Sequence, residues 1–158
     1  MPAGTTVSNV KDIIAVVIGI FDTAEREIDF LAPPSFLSLA ATYDTIERAK
    51  WFIQQGGVMR SITTITHDNV DEVRLRLEIG QKLRHSDRPH ELFMFVGDKT
   101  YSISSVNIGI EEYTLETAIN AFWSESPSYA EYLLISFETA WSQAVPAEQR
   151  IEQLLKRG

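Results

Sequence analysis

The chain reads as an α/β protein, a mixed β-sheet flanked by helices in a layered sandwich, and three observations predict this. Segments with apolar residues at helical spacing alternate with short runs of period two through the first half. Prolines and glycines punctuate them at Pro33-Pro34, Gly56-Gly57 and Gly80. Strand-like runs then cluster between residues 82 and 124, and this order packs helices on a partly parallel sheet. At 158 residues the chain is one core's worth, able to bury roughly 68–70% of its unfolded surface.

Each element has its own signal. Residues 1–6 read as a frayed terminus, after which Ser8 or Asn9 caps a helix to about Ala24. Val10, Ile13, Ile14, Val17, Ile18 and Phe21 form its apolar stripe. Val16 and Ile20 widen that stripe, so the helix calls for cover on two sides. REIDFLA (26–32) alternates and stops at the proline pair, as a strand does. Ser35 to Gln55 is one long helix by pattern, and VMRSITT (58–64) a second strand. Asp68 or Asn69 opens a third helix that runs through Ile79 to Gly80.

KLRHS (82–86), a turn at Asp87-Arg88-Pro89, ELFMFVG (91–97), a tight turn at Asp98-Lys99 and TYSISSV (100–106) make successive strands. A loop through Gly109 and Glu111-Glu112 leads to TAINAFWS (117–124), a further strand. Ser128 and Glu131 have capping-box spacing for a helix to about Ala144. Its stripe of Tyr129, Tyr132, Leu133, Phe137, Ala140 and Trp141 fits a core, while Leu134 and Ile135 fall off it and suggest a partner. Pro146 takes the first position of a last helix carrying Ile151, Leu154 and Leu155.

Composition narrows the function. Fourteen basic against 22 acidic residues give a net charge of −8 with no basic stripe, from which neither nucleic acid nor an anionic membrane is expected as a partner. Cysteine is absent, which removes disulfides and thiolate chemistry. The longest apolar run, IIAVVIGIF (13–21), is nine residues, where a membrane span needs about 20. With no basic n-region or cleavage site before it, a cytoplasmic protein is expected.

The chemistry-bearing residues are few. His67, His85 and His90 lack zinc-ligand spacing, and neither a metal nor a cofactor is expected. There is no Gly-x-Ser-x-Gly elbow and no glycine-rich phosphate loop. Thr64, Thr66 and His67 stand at the carboxyl end of one strand, where α/β sheets place ligands, and Arg84 and His85 stand on the next. Arg84 offers a donor fork suited to carboxylate or phosphate. These five residues are the expected site for a small ligand or partner.

Two stretches carry a resemblance. GGVMRSITTITHDNVDEVRLRLEIGQKLRH (56–85) and FWSESPSYAEYLLISFETAWSQAVPAEQRIEQL (122–154) resemble sensor regions of archaeal histidine kinases. The resemblance implies a fold similar to one half of phospholipase D-like proteins. It also implies a non-enzymatic signal-sensing module, with residues 1–145 as a sensory α/β domain and 146–158 as a carboxyl-terminal output helix. A homodimer that covers Leu134, Ile135 and the over-apolar first helix is expected, and the resemblance adds a kinase or regulator partner. Active phospholipase D-like enzymes carry His-x-Lys, then four further residues and Asp. In this chain His67 is followed by Asp68-Asn69, His85 by Ser86-Asp87 and His90 by Glu91-Leu92. Two alternatives stand beside sensing: a degenerate or unrecognised hydrolase with His67 or His85 as base, and a purely structural dimerisation module.

Overall fold

A computed structural model describes residues 3–88, 92–106 and 112–157. The expectations placed on Pro89, His90, Glu91, Gly109 and Glu111 lie outside these residues. The elements run β1 (Thr5–Asn9), α1 (Val10–Thr23), β2 (Glu27–Leu31), α2 (Pro34–Ala41), α3 (Thr45–Gln54), β3 (Val58–Thr63) and α4 (Val70–Glu78). They continue with β4 (Lys82–His85), β5 (Leu92–Gly97), β6 (Tyr101–Val106), β7 (Ala118–Ser124), α5 (Pro127–Gln143), β8 (Val145–Pro146) and α6 (Ala147–Arg157).

The strands form one eight-stranded sheet in the order β1-β7-β6-β5-β2-β3-β4-β8. The pairs β2–β3 and β3–β4 are parallel because a helical crossover separates each. The other pairs are antiparallel. The sheet is therefore mixed and α/β, as expected.

Alternation along the strands sorts side chains between two faces. Ile28, Phe30, Met59, Phe93, Phe95 and Ile103 join α1, α2 and α3 in the largest core. Leu83 with Val73 of α4 and Ala147, Ile151 and Leu154 of α6 makes a smaller cluster. Leu31, Ile62, Met94 and Val96 point the other way and meet Ala130, Leu133 and Phe137 of α5. Among the described residues α5 is the helix that covers this second face. Helix α1 sits so close to β5 that a Cβ on Gly97 would stand 2.5 Å from Ile20 Cγ2. Its second cover comes from α3, and its exposed positions include the small residues Ala15 and Gly19.

Several local expectations are corrected. Thr5 and Thr6, expected in a frayed end, belong to the edge strand β1, paired with β7; Val7 alone is buried in that strand, too little for a visible alternation. The single helix over 35–55 is two, because Asp44 adopts φ 70 between α2 and α3, a left-handed conformation that no helix interior accepts. Ser126 rather than Ser128 caps α5, accepting from Tyr129 N at 3.3 Å, since Pro127 takes the first helical position. Pro146 likewise precedes its helix, pairing with Arg84 as part of β8. Asn69 spends its side chain on the loop before α4, accepting from Thr66 N and donating to Thr64 O, both at 2.9 Å.

Arg60 fixes α5 on the sheet. From β3 its Nε donates to Asp29 Oδ1 of β2 at 2.8 Å, its Nη2 donates to Glu138 of α5, and its guanidinium lies over Phe137 and Trp141. Burial works against its charge, but the bonds to Glu138 and Asp29 hold it more firmly protonated than usual. Asp29 is buried with Oδ2 unpartnered. Burial outweighs Arg60 there and pushes the carboxyl up to about 6. The folded chain therefore binds this proton before the unfolded chain does, and Asp29 costs stability as pH rises from about 4 to about 6.

Two outcomes follow. Asp29→Asn keeps an acceptor for Arg60 without the titration, so wild type should gain on this variant by on the order of 2 kcal/mol as pH falls from 6 to 4, read from urea unfolding. Asp98, at φ 51 in the β5–β6 turn, accepts from the backbone of Glu25, Arg26 and Glu27 at 2.8 to 3.0 Å and so sets the start of β2. Asp98→Ala should cost about 2 kcal/mol, the scale of charge-assisted bonds, with m unchanged.

Candidate functional site

Among the described residues α5 is the helix on its face, and an open cleft of about 530 Å³ lies between its flank and the carboxyl ends of β2 and β4. Leu31, Leu92 and Ala140 supply apolar walls, and Asp87, Arg88, Ser136, Thr139 and Gln143 supply polar groups. Val145 of β8 closes one side and His85 lies at the base. Parallel strands end here, and such ends are where open α/β sheets place ligands.

His85 is 3% exposed, and both ring nitrogens are engaged. Nδ1 accepts the Ile65 N–H at 2.9 Å, so the proton of the neutral ring sits on Nε2, which donates to Asp87 Oδ1 at 2.8 Å. Burial lowers the His85 pKa below its ordinary value, against the opposing bond from Asp87. Asp87 itself is 85% exposed and faces the cleft.

The five residues expected to form the site are only partly assembled. His85 lines the cleft. Arg84, one residue earlier, projects to the opposite face, where Nη1 donates to Trp141 O at 2.7 Å and its guanidinium covers the Trp141 ring at 4.2 Å. It braces α5, as period-two alternation separates it from His85. Thr64 Oγ1 donates to Ser86 O at 2.8 Å, holding the β3 and β4 ends together. Thr66 accepts from Asp68 N in a local turn, and His67 is exposed outside the cleft lining.

Missed by sequence reasoning were Asp87, Arg88, Ser136, Thr139 and Gln143. The last three repeat at helical spacing on α5 beside its aromatic stripe, which was the signal available. A second groove of about 930 Å³ runs along the other flank of α5 past Glu27, Arg60, Lys99 and Glu138. Among the described residues its lining has no histidine.

Comparison with known proteins supports the fold. No family model matches the chain, and no curated protein matches it in sequence. Among solved structures it is similar to a phospholipase D family member, Nuc from Salmonella typhimurium, with a TM-score of 0.67 and 14% identity over 90% of this chain and 97% of that one. It is also similar to TrmBL2, an archaeal chromatin protein, with a TM-score of 0.66 and 15% identity over 89% of this chain. This chain spans about half of TrmBL2, covering 53% of its length. The chain thus has a phospholipase D-like fold.

TrmBL2 is described as showing a novel mode of DNA binding. That finding overturns the expectation that nucleic acid is excluded: a net charge belongs to the whole chain, whereas binding depends on local charge, and a DNA-binding protein uses this fold. Among the described residues no helix is long and apolar enough to cross a membrane.

The His85 geometry sets a measurable outcome. His85→Ala leaves the buried Ile65 N–H without its acceptor and should cost about 2 kcal/mol; His85→Asn, with a carbonyl near the Nδ1 position, should recover part of that. The unfolded chain takes up the His85 proton first as pH falls. The wild-type advantage over His85→Asn should therefore be full above pH 6.5 and shrink below it.

Proposed function

We propose that this chain is a non-enzymatic, cytoplasmic signal-sensing domain, of the kind found in archaeal histidine kinases, that binds a small ligand in the cleft beside α5. The observation that carries this reading is His85 with both nitrogens engaged at the base of a cleft. A general base needs a free lone pair aimed at substrate, and here the lone pair of Nδ1 is held by Ile65 N–H. The cleft instead offers hydroxyls, an amide, a carboxylate and a guanidinium around an apolar body, a lining for binding and orienting.

The sequence of β5 agrees. Measured from His90, the positions where phospholipase D-like enzymes carry their lysine and aspartate hold Leu92 and Gly97. Leu92 is a wall of the same cleft, so the place of the catalytic lysine is apolar here.

Thermal-shift measurement against free amino acids, nucleotides and short carboxylates should give at least one stabilising compound, since only a bound native state gains from ligand. Thr139→Trp, which fills the cleft from an exposed helical position, should abolish that shift. Bis(p-nitrophenyl) phosphate should not be turned over; turnover lost in His85→Ala would replace sensing with hydrolysis, and a panel without a cleft-dependent shift would remove the ligand reading.

A further inference from the structure

The base of the cleft is wired to the last helix. Asp87 Oδ1 in the cleft accepts from His85 Nε2 at 2.8 Å, and His85 Nδ1 accepts from Ile65 N at 2.9 Å. On the same residue, Ile65 O accepts from Arg150 Nε of α6 at 3.0 Å. Three hydrogen bonds and one residue's backbone thus run from an exposed carboxylate to a helix on the far face of the sheet. Ile65 is fully buried among Ala147, Ile151 and Leu154 of α6, so its position and the seating of that helix are one packing problem. The ladder reinforces the connection, because His85 pairs with Val145, a cleft wall two residues before α6 begins.

We infer that the docking of α6 is set by the state of the cleft through the chain Asp87–His85–Ile65–Arg150, with Arg150 as the positioning residue at the receiving end. This rests on the reading of the cleft as a ligand site. A ligand that competes for Asp87 or turns the His85 ring withdraws the acceptor that holds Ile65 N–H. The Ile65 backbone then has one anchor where it had two, and the carbonyl presented to Arg150 shifts with it. Such coupling is reciprocal: loosening α6 must loosen the His85–Arg88 segment by the same factor. The one-sided burial of α6 serves this role, with Ile151 and Leu154 holding it down and Arg150 reading the strand end.

The test needs no ligand and uses the full chain. Hydrogen exchange followed by mass spectrometry should show α6 exchanging about fivefold faster in Asp87→Ala than in wild type, the low end of site-to-site couplings, with α1 unchanged. Arg150→Ala should speed exchange at residues 85–88 in the same proportion. A double-mutant cycle of these two changes, read from urea midpoints, should be non-additive although the residues do not touch. Additive midpoints, with each change confined to its own segment, overturn the inference. Coupling without any cleft-dependent compound in the thermal-shift panel would support this wiring and sink the ligand reading. A cleft-dependent compound with an additive cycle would do the reverse.

Discussion

The arrangement depends on how α5 is held. Arg60 reaches from the middle of the parallel strands to a buried acid on one side and to Glu138 on the other, under two aromatic rings of the helix. Among the described residues one helix covers that face, and its apolar contact through Ala130, Leu133 and Phe137 is non-directional, so it fixes the position of the helix less than directed bonds do. A bidentate guanidinium removes the freedom that remains, because its planar fork accepts partners in few directions. Its contribution to net stability is small, since buried Asp29 and half-buried Arg60 give up hydration to meet. What it contributes is position. Both the cleft and the groove are spaces left beside α5, so their shapes follow from this contact.

Arg84 repeats the device at the cleft end of the helix, stacked on Trp141 and bonded to its carbonyl. The two arginines stand on neighbouring strands and project to the same face, where they share the Trp141 ring. The residue that reads as a ligand-binding donor in isolation is therefore part of the scaffold that shapes the cleft. His85 has the opposite character. It packs against the other face, yet its ring edge reaches the cleft, which places it between the two cores.

The phospholipase D-like fold does not by itself carry a chemistry. An architecture shared by a phospholipase D family member and a chromatin protein shows that function resides in side chains grafted at the strand ends. At the strand ends of this chain stand an engaged neutral histidine, an exposed carboxylate and polar groups from α5.

The sequence by itself determined the layer architecture, because alternation and helical spacing report burial directly: β2, β3, β5, β6 and α1 lie where their patterns put them. It put the strand ends around residues 64 and 85 one after the other in the chain, and the parallel pairing of β3 with β4 brings them together. It could not determine which side of β4 faces the cleft. Arg84 and His85 are adjacent in the chain and on opposite faces in space, and only the register of β4 between β3 and β8 decides which is where. Nor could it bring Ser136, Thr139 and Gln143 to His85, or Arg150 to Ile65, across about 50 and 85 residues of chain. Local patterns encode what a residue buries; which distant partner it meets is settled by packing the layers together, a property of the whole chain.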